Sequence, residues 1–262
     1  MQETKTKPVS ISIIVCAYNE EPTVYAVLES VGKLGLADEI LVLDNGSTDG
    51  TRGQINRAAQ SNPRIRVLVK EKNIGLGDGL RTLVSATKGD VVVRQDADLE
   101  YSPEDLPSLI EQIENGNADV VYGSRLLVRK AHKVHYYYNY LANFVITQFS
   151  NALTNLYLSD VETEAKAFNG AIVRSIQFCS RGFEIENEMT VKLKRAGCVF
   201  YEVPVSYYGR TYEEGKKIRT VDGIRAIWAT LRFSMTGRFD TKLRSLRKQL
   251  GSRRTKFIRA IP

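Results

Sequence analysis

Residues 11–50 read ISIIVCAYNEEPTVYAVLESVGKLGLADEILVLDNGSTDG, and this stretch decides the class of fold. The apolar, β-branched run Ile11–Ala17 predicts a strand that is covered on both faces. Pro22 then opens a helical segment to about Leu34, and residues 39–44 predict a second strand. A strand, a helix and a strand in this order indicate a βαβ unit with parallel strands.

The same alternation continues through the first half of the chain. It predicts helices at residues 48–59, 76–87 and 103–114 and strands at 64–69, 91–96 and 120–122. Further on, residues 199–205 predict an edge strand because of Pro204, and residues 222–235 predict a closing helix. We therefore predict an α/β fold, in which a mostly parallel sheet carries helices on both faces.

Polar residues follow four successive predicted strands. These are residues 18–20, 44–46, 73–75 and 96–98. Ligands of doubly wound sheets bind at the carboxyl ends of the strands, so these residues predict a binding edge.

Asp96 and Asp98 form the sharpest chemical signal at this edge. They stand two residues apart, so their side chains point to one side if the chain stays extended. Two close carboxylates repel each other unless a cation joins them, and a hard cation such as Mg²⁺ or Mn²⁺ suits them. Such a cation would neutralise the charge that grows on a departing nucleotide diphosphate.

Eight motifs follow one another along the chain. They are CAYNEE (16–21), LDNGSTDGT (43–51), NIGLG (73–77), DADL (96–99), GSR (123–125), DVETEAKAF (160–168), GFEIENE (182–188) and YGRTYEEGKK (208–217). In this order they resemble the family-2 inverting glycosyltransferases of the GT-A fold, most closely the polyprenol-phosphate and dolichol-phosphate sugar (mannose or glucose) synthases. The resemblance covers about residues 9–235.

The resemblance implies transfer of a sugar from a UDP- or GDP-sugar to a polyprenol or dolichol phosphate, with inversion at the anomeric carbon. It also implies a small helical and antiparallel region on the acceptor side of the GT-A sheet. Asp96 and Asp98 would hold Mg²⁺ or Mn²⁺. The nucleotide-sugar would be bound by Ala17, Tyr18, Glu20, Asp44, Asn73, Gly75, Asp96 and Ala97.

Three arginines are candidates for holding an acceptor phosphate, because guanidinium groups match phosphate oxygens bidentately. They are Arg125, Arg129 and Arg210, and the resemblance supports Arg125 and Arg210 as catalytic residues. A phosphate acceptor is already anionic at neutral pH and needs orientation more than a base.

A sugar hydroxyl acceptor would instead require a carboxylate base. Asp160 is the best positional match, with Glu186 and Glu188 behind it. The alternative for all three is a structural salt bridge to Lys166 or Lys192. The chain also departs from many relatives directly before Lys166. It has Glu-Ala there, where relatives often have a small or aromatic residue.

Charge and polarity divide the chain. The net charge is +7, and eight basic residues but no acidic one lie after residue 241, so residues 1–241 are close to neutral. Residues 134–159 contain no Asp, Glu, Lys or Arg and mix aromatic with aliphatic and amide side chains. We expect this segment and the basic tail to contact a membrane surface peripherally, although a buried helix and a solvated tail are the alternatives.

No apolar run reaches the length of a membrane-spanning helix, no secretory signal is apparent, and three distant cysteines suggest reduced thiols. We therefore expect a cytoplasmic protein at the membrane face, and a separate membrane subunit is possible. The expected organisation is a disordered N-terminus (1–8), one domain (9–240) and a basic tail (241–262). The domain would consist of a nucleotide-sugar half (9–125) and an acceptor half (126–240).

Two other functions stay open at this point. The same donor chemistry could act on a soluble saccharide or a cell-envelope polymer, or the protein could bind nucleotide-sugars without catalysis. Nucleic acid is not an expected partner, because the near-neutral body has no basic stripe with stacking aromatic residues.

Overall fold

The structure of the chain is a computed structural model that describes residues 9–127, 136–210, 220–236 and 241–258. The side chains of residues 220–222, 241 and 252–258 are not described. The predicted disordered N-terminus and Arg129 lie outside the described residues.

In the part of the chain that the structure describes, seven strands form one sheet in the order β3-β2-β1-β4-β6-β5-β7. Strands β1 to β4 are mutually parallel, β7 pairs in parallel with β5 at the far edge, and β6 is antiparallel to both its neighbours. The strands are β1 Ile11–Ala17, β2 Glu39–Asn45, β3 Ile65–Lys70, β4 Val91–Arg94, β5 Val120–Ser124, β6 Lys166–Asn169 and β7 Phe200–Pro204. The predicted mostly parallel sheet and the edge position of the Pro204 strand are confirmed.

Helices cover both faces of this sheet. They are α1 Val24–Lys33, α2 Thr51–Ser61, α3 Leu76–Ala86, α4 Leu106–Glu114, α5 Tyr137–Thr154, α6 Gly170–Ser175, α7 Ile185–Arg195, α8 Thr220–Thr236 and α9 Thr241–Ile258. Alternate residues of β1 enter different cores: Ile13 and Val15 pack with α1, α2 and α4, whereas Ile14 packs with α3, α6 and α7. Burial on both faces explains why this strand is apolar without alternation.

Strand β4 ends two residues earlier than predicted, at Arg94. The side-chain amide of Gln95 donates to the backbone carbonyls of Asp96 and Tyr101, which folds the following loop back on itself. Leu99 in this loop has a positive φ of 64°. The chain is therefore not extended through Asp96 and Asp98, and the argument from strand alternation was wrong.

Two elements of the acceptor half were not predicted individually. Strand β6 begins at Lys166, whose fully buried ammonium group pairs with Glu186. Helix α7 buries the charged residues Glu186 and Glu188 beside an apolar stripe of Ile185, Met189 and Leu193. Buried ion pairs therefore interrupt the apolar pattern by which such elements are identified in a sequence.

The basic segment after residue 240 is a helix in the structure. Leu243 and Leu250 of α9 are buried against the α7 side of the core, and Leu246 packs beside them. The spacing of these three leucines forms one apolar face, so a wholly solvated tail was the wrong alternative.

We predict that Leu243→Ala lowers the free energy of unfolding by about 2 kcal/mol or more, because it empties a buried site in the core. The neighbouring exposed residue Arg244 provides the control, since Arg244→Ala should change stability by about 0.5 kcal/mol or less. Urea denaturation of both variants measures the difference. Equal stability of the two variants would show that α9 does not pack on the domain.

Candidate active site

The parallel strands place the four predicted polar loops at one edge of the sheet, and hydrogen bonds tie these loops together. The backbone N–H of Asn19 donates to Ser47 Oγ at 3.1 Å, which joins the loops after β1 and β2. The Asn45 side-chain amide donates to the Gly75 carbonyl at 3.2 Å, which joins the loops after β2 and β3. The expected binding edge is thus a connected surface in the structure.

Small buried residues line the base of this edge. Ala17 ends β1 with no exposed surface, and Ala97 is 3% exposed. The Thr23 hydroxyl at the start of α1 donates to the Ala97 carbonyl at 2.8 Å, which fixes the loop after β4 against the loop after β1. Tyr18 lies beside Ala17 and is half-buried.

Asp44 lies fully buried near the end of β2. Its carboxylate accepts from Arg52 Nε at 2.7 Å and from the backbone N–H of Ser47 at 2.9 Å. Burial alone would raise the pKa of Asp44, but the hydrogen bonds from Arg52 and Ser47 lower it. Asp44 is therefore a fixed, ionised acceptor at neutral pH.

The loop after β3 is tight and depends on glycine. Asn73 is exposed, and its side-chain oxygen accepts from the Gly75 N–H at 2.7 Å. Gly75 has a φ of 88°, and a Cβ there would stand 2.4 Å from the Arg181 carbonyl oxygen. Only glycine fits this position without movement of the backbone.

Arg210 reaches the edge from the far end of the chain. Its Nη2 donates to Glu20 Oε2 at 2.9 Å and to the Asp98 carbonyl at 2.7 Å. Its backbone N–H donates to Glu100 Oε1 at 2.8 Å. Three predicted site residues, Glu20, Asp98 and Arg210, are therefore in direct contact.

A buried arginine stands behind the acidic pair. The Arg94 side chain is 2% exposed and contacts Asp96 at 3.1 Å, together with Glu164 and Glu186. Glu186 also binds Lys166, so the network continues into the core. Burial and the charge of Glu164 raise the pKa of Asp96 well above its ordinary value, although Arg94 opposes the change.

Asp98 lies in the same crowded field of carboxylates. Burial, followed by the nearby charge of Glu100 and then that of Glu164, raises the pKa of Asp98 to about 7. Crowded, partly desolvated carboxylates with hard oxygen donors fit a divalent cation such as Mg²⁺ or Mn²⁺. Within the described ranges, no group of three or more His, Cys, Asp or Glu residues could hold a metal ion alone.

Arg125 and Asp160 form a second ion pair on the acceptor side. Arg125 donates to both oxygens of Asp160, from Nε at 2.6 Å and from Nη2 at 2.7 Å, and Asn143 donates to Asp160 at 2.9 Å. Burial alone would raise the pKa of Asp160, but the Arg125 charge and these hydrogen bonds lower it. The Arg125 guanidinium also lies over the Tyr207 ring, 5.1 Å from its centroid. This geometry favours a positioning role for Asp160 over the role of a base.

Glu186 and Glu188 follow the salt-bridge alternative that the sequence left open. Glu186 pairs with Lys166, and Glu188 pairs with Lys192 at 2.6 Å. Asp160 also forms a salt bridge, but its partner is Arg125 and not Lys166 or Lys192.

Several residues of the site escaped the sequence analysis. Arg94 carried a usable signal, because a charged residue in a run of buried valines must find a partner of opposite charge. Glu164 carried a weaker one, as an unusual residue in a matching motif. The contacts of the others depend on tertiary structure alone: Glu100, Asn143 and Tyr207.

The mixed sheet and its loop-lined edge define a GT-A type fold, and comparisons with known proteins agree. The profile described as "Glycosyl transferase family 2" matches residues 12–172. The solved structure of glucosyl-3-phosphoglycerate synthase from Mycobacterium tuberculosis, in complex with Mn²⁺, UDP and glucosyl-3-phosphoglycerate, superposes with a TM-score of 0.66 at 22% identity. That superposition covers 86% of this chain and 80% of the mycobacterial one, and at this identity it supports the fold alone.

Two curated relatives narrow the class. A dolichol-phosphate mannosyltransferase from Pyrococcus furiosus is 30% identical over 79% of this chain. The matching region covers 58% of the length of that protein. An undecaprenyl-phosphate mannosyltransferase from Micrococcus luteus is 27% identical over 91% of this chain and 98% of its own length. The chain belongs to glycosyl transferase family 2.

Proposed function

We propose that the protein transfers a hexose from a UDP- or GDP-sugar to a polyprenol or dolichol phosphate, with inversion at the anomeric carbon. The observation that carries the proposal is the contact of Arg210 with the Glu20 carboxylate and the backbone carbonyl of Asp98 at the edge of the sheet. It places a guanidinium that suits phosphate beside a residue whose carboxylate would bind a divalent cation. The names of the two mannosyltransferase relatives support a lipid-linked phosphate as acceptor.

The donor would lie along the loops after β1 to β4. Tyr18, Glu20 and Asp44 would bind the base and ribose, and the backbone at Ala17, Asn73, Gly75 and Ala97 would shape the groove. Asp96 and Asp98 would hold Mg²⁺ or Mn²⁺, whose positive charge stabilises the departing diphosphate. The mycobacterial structures with UDP and Mn²⁺ or Mg²⁺ support such a site in this fold.

The acceptor phosphate would supply the nucleophile. One of its oxygens bonds to the anomeric carbon while the bond from that carbon to the donor diphosphate breaks, and the nucleoside diphosphate leaves. Arg210 and Arg125 would orient the donor diphosphate and the acceptor phosphate. Each arginine is held in place by its own carboxylate partner. Arg129 stays a candidate clamp. This chemistry needs no base, which agrees with the fully engaged carboxylate of Asp160.

A peripheral membrane contact would bring the protein to such an acceptor at the cytoplasmic face. Within the described residues, we find no helix with the length and apolarity to cross a bilayer. Helix α5 instead is buried in its C-terminal half and exposes aromatic side chains in its N-terminal half, with Tyr138 81% and Phe144 43% exposed. Trp228 on the adjoining helix α8 is 65% exposed. Aromatic rings on a helix surface suit the interface of a membrane.

Sugar transfer with labelled donors tests the proposal. UDP- and GDP-hexoses are each incubated with polyprenol phosphate, and separately with soluble saccharides, in the presence of Mn²⁺ or Mg²⁺. We expect labelled product in the organic phase for one donor with the lipid acceptor. Product with saccharides alone would replace the lipid acceptor, and nucleotide-sugar binding without any product would favour a binding protein.

Flotation with liposomes tests the membrane contact. Wild-type protein should float with vesicles that contain anionic lipid, and Tyr138→Ser/Phe144→Ser should reduce the bound fraction by about tenfold, since two exposed rings are lost. Tyr157→Ser is the control, because Tyr157 is exposed but lies beyond the end of α5. Equal flotation of all three proteins would remove α5 from the membrane contact.

A further inference from the structure

The Arg94 guanidinium contacts three carboxylates. Its guanidinium is buried at the end of β4, where Nη1 binds Glu186 and Nη2 binds both Asp96 and Glu164. Asp96 and Glu164 therefore share one nitrogen of a single cation. The two carboxylates therefore compete for the same positive charge.

Glu164 belongs to the segment between α5 and β6, and its backbone is anchored independently of Arg94. Its backbone N–H donates to the Tyr101 hydroxyl at 3.2 Å, and its carboxylate is 19% exposed. Its carboxylate pairs with the Arg94 guanidinium and is also hydrogen-bonded to the Asp96 side chain.

We propose that Glu164 is a positioning residue that draws the charge of Arg94 away from Asp96 and so keeps Asp96 available to a divalent cation. The inference rests on the proposed cation site at Asp96 and Asp98. Without Glu164, Arg94 would act as an internal counter-ion for Asp96 and compete with the metal.

Electrostatics indicates a measurable effect. Arg94 Nη2 already stands 3.1 Å from Asp96 Oδ1, and one unit of charge at such a distance in a protein interior changes an equilibrium by about tenfold or more. Glu164→Gln removes the competing anion and keeps the shape of the side chain. Apparent Mn²⁺ affinity should therefore fall by about tenfold.

Titration with Mn²⁺ alone, followed by electron paramagnetic resonance of the free ion, measures this affinity without donor or acceptor. Glu164→Asp retains the charge and should bind Mn²⁺ within about threefold of wild type. The double variant Arg94→Met/Glu164→Gln removes both the competing cation and the Glu164 anion. Its Mn²⁺ affinity should therefore also lie within about threefold of wild type. The matched control is Glu162→Gln, since Glu162 lies two residues away and is hydrogen-bonded to Asn187 at 2.6 Å.

Turnover provides a second readout. With Glu164→Gln, the Mn²⁺ concentration for half-maximal activity should rise by about tenfold while kcat at saturating Mn²⁺ stays close to wild type. A purely structural role would lower kcat and thermal stability at every Mn²⁺ concentration. Circular dichroism of each variant confirms folding before titration.

Two results would overturn the inference. One is unchanged Mn²⁺ affinity in Glu164→Gln, and the other is a folded double variant that binds Mn²⁺ as weakly as the single variant. In either case, Mn²⁺ binding by wild type that is lost in Asp98→Asn would leave the proposed function intact. Absence of Mn²⁺ binding in wild type would instead contradict the proposed cation site itself.

Discussion

Asp98→Asn should lower the rate of sugar transfer by about 10³-fold, because it removes an anionic ligand of the cation that would neutralise the leaving diphosphate. Asp98 is partly desolvated beside Glu100, so its carboxylate is costly to keep ionised without a cation. The backbone carbonyl of Asp98 that binds Arg210 is retained in the variant, so the loop should keep its shape. Initial rates with saturating Mn²⁺ and donor measure the effect.

Glu104→Gln is the matched control for this prediction. Glu104 is an exposed carboxylate a few residues further along the same segment, and its replacement should leave the rate within about twofold. Wild-type turnover in Asp98→Asn would remove the acidic pair from the mechanism. A loss of rate that is equal in both variants would point to an unspecific effect of surface charge.

Asp160→Ala should lower the free energy of unfolding by about 3–5 kcal/mol, because it leaves the Arg125 guanidinium without its buried partner. Asp160 has no exposed surface, and Arg125 is 17% exposed. The amide of Asn143 would lose its acceptor as well. Urea denaturation measures the change, and loss of activity should accompany loss of stability.

A surface ion pair gives the comparison. Glu29 and Lys33 are 3.2 Å apart on the exposed side of α1, and Glu29→Ala should cost about 0.5 kcal/mol or less. If Asp160 were instead a catalytic base, its titration would produce the acidic limb of the pH–rate profile, and this limb would disappear in Asp160→Asn. That outcome would contradict the positioning role and favour a hydroxyl acceptor.

Much of the sheet could be predicted from the sequence because each inner strand is apolar on both faces. The start of β1 and the starts of β2, β4 and β5 coincide with the predicted residues, and β3 begins one residue later. Helix α2 starts at Thr51 instead of residue 48, because Asp49 binds the Thr51 N–H ahead of the first turn. Asp49 therefore has the local structural role that suits its position at a helix start.

The site was predictable where it follows the rule for strand ends and unpredictable where it depends on ion pairing. Glu20, Asp98 and Arg210 were each identified separately, and the structure brings them into contact. The partner of Asp160 was not predictable, because Arg125 lies 35 residues away and Lys166 was nearer in sequence. Pairing among buried charges depends on packing that no local pattern records.

The ion pairs also explain how an acidic edge could serve two anionic substrates. Arg210 is held by Glu20, and Arg125 is held by Asp160, so each guanidinium has a fixed position before any phosphate arrives. Such preorganisation reduces the entropy lost on binding. Arg94 lies deeper, where it contacts Asp96.

Anomalous diffraction from a crystal soaked with Mn²⁺ and the nucleoside diphosphate is the most direct measurement. The account predicts one Mn²⁺ peak within about 2.3 Å of an oxygen of Asp98 and in contact with the diphosphate. A nucleotide bound along the loops after β1 to β4, with Mn²⁺ absent and both carboxylates turned away from the phosphates, would contradict it.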